Sequence, residues 1–210
     1  MKKYEFTGET MRIQLQARIA TLHRIRATVD FRNVKTGELG GWIEKEENLS
    51  HDENAWVGEN AEVYGNAEVY GDAEVYGNAK VFGNAEVYGD AEVYGNAKVY
   101  GDAKVCGNAK VFGNAEVCGN AKVFSASHVL VIGAIGSRSD FTTFYQDQDG
   151  EITVKCGCFL GKIDKFIEKV TETHGKGKHA KVYNAAAEMA KLQIKSQRTR
   201  NEQVDKRTDR

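Results

Sequence analysis

Residues 61–124 read AEVYGNAEVYGDAEVYGNAKVFGNAEVYGDAEVYGNAKVYGDAKVCGNAKVFGNAEVCGNAKVF. The unit Ala-x-Val-(Tyr/Phe)-Gly-(Asn/Asp) begins at Ala55, and valine holds every sixth position from Val57 to Val123, twelve times without a gap. A six-residue period excludes the seven-residue repeat of a coiled coil. A Gly-Asn or Gly-Asp pair in every unit disfavours one long helix by about 1 kcal/mol per repeat. The stretch therefore predicts a solenoid of short strands.

Each unit is expected to form one short strand followed by a tight corner. Alanine and valine are two residues apart, so both point to the same side of the strand, toward the solenoid axis. The residue between them and the Tyr or Phe after them must point outward. Glycine follows, and it tolerates the positive φ that a tight corner demands. Three units make one coil of eighteen residues, so twelve units predict four regular coils that rise about 19 Å.

Stacking by eighteen residues predicts columns of side chains on the outside of the coils. Nine aromatic residues occupy eleven successive outward positions, and they fall into three columns: Tyr64, Phe82, Tyr100 and Cys118; Tyr70, Tyr88, Cys106 and Phe124; Tyr76, Tyr94 and Phe112. Asn60, Asn78, Asn96 and Asn114 should form a corner ladder. Glu62 over Lys80 and Lys98 over Glu116 place opposite charges on neighbouring coils, and such pairs help to fix the register.

Four segments follow from the pattern along the chain: a small β unit over 1–39, the β-helix with an irregular first coil over 40–135, an α+β module over 136–194, and a charged, disordered tail over 195–210. In the module, alternation predicts a hairpin of Phe141–Tyr145 and Ile152–Cys156 around a turn at 148–150. A period of 3.6 predicts helices over 162–173 and 179–194. The apolar face of the second helix would hold Val182, Ala186, Met189 and Ala190.

The hexad spacing can also be extended beyond the regular repeat. Counted backwards, it puts Leu49 on an alanine position and His51 on a valine position. Counted forwards, it continues through Val129 to Ile135. Residues 40–54 are expected to cap the solenoid, because an open coil presents unpaired strand edges. Leu22–Phe31 alternates in polarity and is expected to form a strand of the N-terminal unit.

Charge is distributed unevenly, with net +5 over residues 1–36, −10 over 37–124 and +4 over 125–210, and the total is −1. This acidic middle argues against a uniform nucleic-acid binder. The first residues lack the apolar stretch of a signal peptide, and no apolar run is long enough to span a membrane. The chain is therefore expected to be cytoplasmic, with its four cysteines as free thiols.

The repeat resembles that of the left-handed parallel β-helix hexapeptide-repeat proteins, a superfamily that includes acyltransferases and some carbonic anhydrases. Other motifs resemble those of a bacterial and prophage group of such proteins: Gly40-Gly41-Trp42-Ile43-Glu44, then Glu47-Asn48-Leu49-Ser50, and Cys156-Gly157-Cys158-Phe159 in a C-terminal module. The resemblance implies a left-handed coil, and a right-handed helix of the bacterial cytoskeletal type is the structural alternative. It implies little about activity, because members of the group have no established chemistry.

Acyl transfer is the enzymatic alternative. The resemblance implies a histidine as general base beside a loop that leaves the coils, yet the twelve units contain neither a histidine nor an insertion. His51 and His128 flank the run and are interpreted as structural or solvent-facing residues. The three histidines that a carbonic anhydrase needs around zinc are absent from the coils. The pattern favours a non-enzymatic protein without a catalytic residue.

The third segment holds two candidate sites. Cys156 and Cys158 form a C-x-C motif, and with His174 downstream they could bind zinc, although one cysteine could equally pack in the core and the other lie at a turn. No other cofactor is expected. Backbone amides of a glycine-rich loop together with arginine can hold a phosphate, which makes a set of five residues a candidate site for a small phosphorylated ligand: Gly136, Ser137, Arg138, Thr142 and Thr143. The alternative is a joint between the solenoid and the module.

The aromatic columns are the most informative exposed feature. A soluble monomer rarely exposes so large an apolar surface, and tyrosine is favoured at interfaces. A homo-oligomer interface is therefore expected at eight residues: Tyr64, Tyr70, Tyr76, Phe82, Tyr88, Tyr94, Tyr100 and Phe112. The alternatives are that the terminal segments cover one face or that the stacked rings simply shield the coil edges.

These observations together predict a non-enzymatic β-helix scaffold or binding protein, related to phages or prophages. It would self-associate and bind a host protein or a small phosphorylated ligand. Nucleic acid and membrane are not expected as partners. The alternatives are an acyltransferase-like enzyme and an acidic protein that imitates DNA and blocks a DNA-binding protein.

Overall fold

The structure, a computed structural model, describes residues 2–194; the predicted tail over 195–210 lies outside the described residues. The chain is mainly β. It forms a parallel β-solenoid of about five turns, with antiparallel strands at its N-terminal end and an antiparallel sheet with two helices at its C-terminal end. The predicted fold class is therefore confirmed.

Twelve two-residue strands build the shaft of the solenoid: β4 (Trp56–Val57), β5 (Glu62–Val63), β6 (Glu68–Val69), β7 (Glu74–Val75), β8 (Lys80–Val81), β9 (Glu86–Val87), β10 (Glu92–Val93), β11 (Lys98–Val99), β12 (Lys104–Val105), β13 (Lys110–Val111), β14 (Glu116–Val117) and β15 (Lys122–Val123). Strands eighteen residues apart pair in parallel, as predicted. They give three faces: the first from β5, β8, β11 and β14, the second from β6, β9, β12 and β15, and the third from β4, β7, β10 and β13.

The shaft has the predicted interior. Every alanine and valine of the repeat from Ala55 to Val123 is at most 1% exposed, so these small side chains fill the axis. The corner glycines from Gly65 to Gly119 have φ between +61° and +78°, a region that a residue with a Cβ adopts only at a cost. Side-chain amides link Asn78, Asn96 and Asn114, three of the four members of the predicted corner ladder that begins at Asn60, with nitrogen–oxygen distances of 3.2 and 3.0 Å.

Three strands precede the shaft: β1 (Tyr4–Gln14), β2 (Ile19–Ala27) and β3 (Leu39–Ile43). They form an antiparallel meander whose last strand pairs in parallel with β5, so the meander extends the first face. The strand predicted over Leu22–Phe31 thus begins and ends earlier. After Ala27 the chain turns toward β3, and Phe31 forms an isolated bridge to Val34 and is not a part of β2.

The N-terminal end of the shaft is capped by polar groups from this segment. The Lys3 ammonium, 3% exposed, donates to the Ala55 carbonyl oxygen at 2.7 Å, and burial lowers the pKa of Lys3 to about 8. The Tyr4 hydroxyl donates to the Leu49 carbonyl oxygen at 2.9 Å, and the Asn48 amide to that of Ala67 at 2.7 Å. These bonds satisfy carbonyls that an open coil would leave unpaired.

The predicted register of this first coil is wrong. Leu49 pairs with Val69 and Ile43 with Val63, so Leu49 takes a valine position and not an alanine position. Eight residues separate Leu49 from Val57, instead of six, because the corner between them is longer. His51 lies in that corner, off the axis, where its ring stacks on Tyr4 with 4.2 Å between ring centroids.

Beyond the shaft lies a four-stranded antiparallel sheet of β16 (Val129–Ile135), β17 (Asp140–Gln146), β18 (Ile152–Cys156) and β19 (Phe159–Lys162), in that order. The predicted hairpin is confirmed as β17 and β18. The hexad register does not continue to Ile135, because β16 runs on without a corner and pairs with β17. The sheet turns one side toward the shaft, where Tyr145 is fully buried, and the other toward the helices, where Phe144 is fully buried.

The helices α1 (Ile163–His174) and α2 (Lys178–Gln193) match the predicted ones within one residue at each end. The predicted apolar face of α2 is partly wrong, because Met189 is 55% exposed while Tyr183 is buried. Tyr183 packs edge-on against Phe166 of α1 at 5.6 Å between ring centroids. Within residues 2–194, neither helix has the length and apolar character needed to cross a bilayer.

Candidate functional site

The outward aromatic residues stack into columns that run along the shaft. Ring centroids of successive residues lie 4.8 to 5.6 Å apart with nearly parallel planes. Each ring therefore covers much of the ring in the next coil. The ion pairs between coils follow the same register, with Lys80 at 2.8 Å from Glu62 and Lys98 at 3.2 Å from Glu116, as predicted.

The first face is covered by the chain itself at both ends. Tyr64 is only 8% exposed, because Ala20 and Leu22 of β2 pack with it. At the other end the Tyr145 hydroxyl contacts Cys118, donating to its carbonyl oxygen at 3.0 Å. Tyr64 and Cys118 therefore pack against other segments of the same chain. This agrees with one of the two alternatives given for the columns, that terminal segments cover one face.

The third face is contacted by residues 31 and 32 at its N-terminal end. The Arg32 guanidinium bonds to the Glu74 carboxylate at 3.0 Å, and Phe31 packs edge-on against Trp56. Further along, Tyr76 and Tyr94 are half-buried and Phe112 is 41% exposed.

Within residues 2–194, the partners of the outward rings on the second face lie in the shaft and its adjoining turn, although Cys106 of this column is buried and the last strand, β15, is bridged to the C-terminal sheet through Ala121 and Asp147. Tyr70 and Tyr88 stack on each other at 4.8 Å, and the Tyr70 hydroxyl donates to the Glu86 carboxylate at 3.2 Å. Phe124 is 42% exposed and lies beside His128 of the adjoining turn. All these partners belong to the shaft or to the turn that ends it, so among residues 2–194 neither the N-terminal strands nor the two helices provide a ring partner for this column.

The tyrosines of the columns act as neutral hydrogen-bond donors. The Tyr76 hydroxyl donates to the Glu92 carboxylate at 3.2 Å, and burial, followed by the charge of that carboxylate, raises the pKa of Tyr76 to about 12. Burial and the bond to Glu86 likewise raise the pKa of Tyr70. The hydroxyls consequently hold glutamates of the next coil in place.

A cleft of about 280 Å³ lies between the first face and the C-terminal sheet. It is lined by residues of both parts of the chain: Asn96, Lys98, Asn114, Glu116, Asp140, Phe141, Thr143, Lys155 and Gly157. At its centre the Glu116 carboxylate lies 3.2 Å from the ammonium of Lys98 and 3.2 Å from that of Lys155. Burial by itself would raise the pKa of Glu116, but the two lysines outweigh it and hold this pKa below its ordinary value.

The five residues of the predicted phosphate site are divided between the two sides of the C-terminal sheet, with Thr143 on the shaft side and Gly136, Ser137 and Thr142 near Tyr183 and Cys156 on the other. On β17, Thr143 faces the shaft, where its Oγ1 accepts a bond from the Glu116 amide, whereas Thr142 donates to Cys156 Sγ at 3.2 Å. Gly136 lies against the Tyr183 ring, since a Cβ there would be 1.8 Å from the hydroxyl. Tyr183 also hydrogen-bonds Ser137. The remaining residue, Arg138, lies at Gly157 on the rim of the cleft.

Two of the three predicted zinc ligands, Cys156 and His174, lie beside Tyr183, and the third, Cys158, is exposed. Cys156 is half-buried in β18, next to Thr142 and Tyr183, while Cys158 is exposed in the following turn. His174 ends α1 and stacks on Tyr183 at 5.9 Å. Among the described residues, no group of three or more His, Cys, Asp or Glu side chains is placed to hold a metal ion.

Two residues of this region were not singled out by the sequence. Lys155 completes the charge cluster of the cleft, and Tyr183 joins Gly136 and Cys156 on the other side of the sheet. Alternation in β18 indicates on which side Lys155 lies, but nothing local indicates that this side meets Glu116. The sequence matches no family model and no curated protein.

Proposed function

We propose that the chain is a non-enzymatic scaffold and binding protein that self-associates side by side through the second face of its solenoid. The observation that carries this proposal is that, within residues 2–194, the outward rings of this face have their partners in the shaft and its adjoining turn. Both axial ends of the shaft are covered within the chain, by the Lys3 and Tyr4 cap and by the Tyr145 side of the C-terminal sheet. Lateral contact is the remaining way for strands of the shaft to meet another molecule, and exposed aromatic columns favour it.

Replacement of Tyr70 and Tyr88 by serine tests this proposal. The double variant keeps every buried alanine and valine, so the coils should remain folded while the apolar column on the second face is lost. Sedimentation velocity over a concentration series should show weaker association than in the native chain. Tyr76→Ser/Tyr94→Ser removes the equivalent stacked pair from the third face and is the matched control. Unchanged association in the Tyr70→Ser/Tyr88→Ser variant would refute a role for this column.

The cleft supports a second candidate function, the binding of a small phosphorylated ligand. Lys98 and Lys155 both point at Glu116, and Arg138 lies on the rim, so a phosphate could bind by sharing these cations. The Phe141 ring would offer an apolar wall to the rest of such a ligand, and the volume approaches the lower limit of about 300 Å³ for small-molecule sites.

Titration with phenyl phosphate, followed by NMR, tests this second function. Shifts should be confined to the cleft residues, and Lys155→Met should weaken binding about tenfold, whereas Lys169→Met on the exposed side of α1 should not. Binding that is equally strong in both variants would show that phosphate associates with surface lysines in general.

The proposal also covers the family, a protein partner and the cellular location. Membership of the left-handed hexapeptide-repeat proteins of bacteria and prophages, with a host protein as a further partner, is supported by the Gly-Gly-Trp-Ile-Glu and Glu-Asn-Leu-Ser motifs. A cytoplasmic location is supported by four free cysteines. Binding and turnover of an acyl-CoA would instead favour the acyltransferase alternative. The DNA-mimic alternative needs a continuous acidic surface, whereas the outward strand positions of the regular repeat hold both glutamates and lysines, and each face carries at least one lysine.

A further inference from the structure

The charge of the second face changes sign halfway along the shaft. The outward residue of its four strands is Glu68, then Glu86, then Lys104 and finally Lys122. This face is therefore acidic over its first two coils and basic over its last two. The first face differs, since it carries glutamate at both ends and lysine between them.

We propose that a second copy of this chain binds on the second face in antiparallel orientation. This inference rests on the proposed self-association and specifies its geometry. The two-fold axis lies in the interface, runs parallel to the strands, and passes between the coils of Glu86 and Lys104. It places Glu68 opposite Lys122 of the second copy and Glu86 opposite Lys104 of the second copy. Both pairs then occur twice, which gives four attractive contacts.

The charge pattern selects this orientation over the parallel one. With the two-fold axis along the shaft, each coil would meet the same coil of the other copy. Glu68 and Glu86 would then face a second acidic half, and the two basic halves would also meet. Like charges brought together in this way disfavour association, so only the antiparallel arrangement is complementary.

The side chains of the column are compatible with the same axis. Tyr70, which is half-buried, falls opposite the exposed Phe124 of the second copy, so these two rings can pack together. Tyr88 falls opposite Cys106 of the second copy, whose side chain is buried and adds little contact. The outer residues are thus matched in charge, and one aromatic contact lies at each end of the interface.

The four charged residues differ in whether they already form an ion pair within their own chain. Glu86 already pairs with Lys104 of its own chain at 2.6 Å, so the centre of the interface would become a network of four charges. Glu68 and Lys122 form no ion pair within residues 2–194. Glu68 is exposed, and these two residues gain an opposite charge only when a second copy binds.

The size of the face sets the expected affinity. Four coils spaced by about 4.8 Å, across a face about 15 Å wide, offer about 300 Å² per copy. This is well below the roughly 800 Å² per partner of a stable interface. The dimer should therefore be weak, form at high protein concentration, and dissociate as salt screens its charges.

Charge-reversed variants test the face, and Glu68→Lys/Lys122→Glu tests the orientation. In the antiparallel dimer this exchange variant should bind itself more tightly than it binds the native chain, and the opposite preference would overturn the orientation. Glu68→Lys/Glu86→Lys makes the face wholly basic, and Lys104→Glu/Lys122→Glu makes it wholly acidic; two reversals of two charges each take the net charge from −1 to +3 or to −5. Sedimentation equilibrium in about 20 mM salt should show each charge-reversed variant alone as a monomer of 23.2 kDa. Their equimolar mixture should form a heterodimer at least tenfold tighter than the native homodimer. Circular dichroism verifies that both variants are folded.

The outcomes separate the two proposals. If the native chain associates but the mixture stays monomeric, the second face is not the interface, although self-association stands. A native chain that is monomeric throughout the concentration range refutes the proposed function and this inference together. Glu168→Lys/Glu172→Lys on α1 carries the same charge change away from the face and is the control. Equally strong association of that control with the acidic variant would show attraction by net charge alone and overturn the inference.

Discussion

The corner glycines allow a sharp test of how closely the coils approach, because two of them differ mainly in whether another coil lies next to them. Gly101 and Gly119 lie on the same corner in successive coils, with φ of +78° and +67°. A Cβ on Gly101 would lie 2.9 Å from the Gly119 nitrogen and 3.2 Å from its oxygen, whereas a Cβ on Gly119 would have nothing within 4 Å. Gly119→Ala thus incurs backbone strain alone, and Gly101→Ala incurs strain and a clash.

The magnitudes follow from these contacts. Alanine in the left-handed region costs about 1 kcal/mol in either variant, and the smaller entropy of the unfolded chain affects both alike. The clash at Gly101 requires the coils to separate locally by about 0.5 Å. That stretches the bond from the Asp102 amide to the Gly119 carbonyl oxygen, now 2.9 Å, and its loss with the poorer packing costs about 2 kcal/mol more. We expect destabilisation by about 1 kcal/mol for Gly119→Ala and about 3 kcal/mol for Gly101→Ala.

Urea unfolding followed by far-UV circular dichroism measures both values. The midpoint should fall further for Gly101→Ala, with the slope unchanged. Equal destabilisation of the two variants within about 0.5 kcal/mol would refute the reasoning, because it would mean that the next coil does not restrict the space above Gly101.

Three further predictions concern the axis and the two ends. Val87→Asp should abolish the β signal in circular dichroism, since it places an unpaired charge on a fully buried position; retention of the signal would show that the inward assignment is wrong. Tyr145→Phe should lower the free energy of unfolding by about 1 kcal/mol, because it leaves the buried Cys118 carbonyl without its donor; no change in the urea midpoint would mean that the bond does not hold the C-terminal sheet. The pKa of Lys3 is lowered to about 8 from 10.5, so between these values the unfolded chain holds a proton that the folded chain has released, and stability should rise with pH from 8 to about 10. Above pH 10 the raised pKa values of tyrosines such as Tyr76 reverse the trend. Lys3→Met should remove the rise, and its persistence in that variant would assign the rise to another group.

Much of this fold could be predicted because the same local pattern of inward and outward residues occurs twelve times. Each unit places two small apolar residues on one side and a glycine at the corner, so an error in one unit would have been corrected by its neighbours. The first coil lacks that redundancy. Two additional residues between Leu49 and Val57 shifted the register, and no local signal marks how a longer corner is absorbed.

The C-terminal part depended on contacts that are distant in sequence. Ile135 matches the hexad spacing, but pairing with β17 decided its place. Met189 lies at helical spacing from the other apolar residues of α2. The sheet and α1 nevertheless pack on the neighbouring face of α2, and they bury Tyr183 instead. The same limit applies to the candidate sites. The aromatic columns could be predicted from the length of the repeat. The exposure of each face could not, because it depends on where β2 and Tyr145 pack. Lys98 and Lys155 meet in the cleft because the C-terminal sheet packs on the first face, and no sequence motif indicates that contact.

The side-chain bonds between the C-terminal sheet and the first face limit how many repeats such a protein could gain or lose. Tyr145 and Thr143 bond to Cys118 and Glu116, which belong to the first face. Gain or loss of one hexad would turn the end of the shaft by a third of a revolution and present a different face to these partners. Gain or loss of eighteen residues would restore the match. The number of repeats in related genes should therefore vary by three units at a time, even though the sequence itself repeats by one.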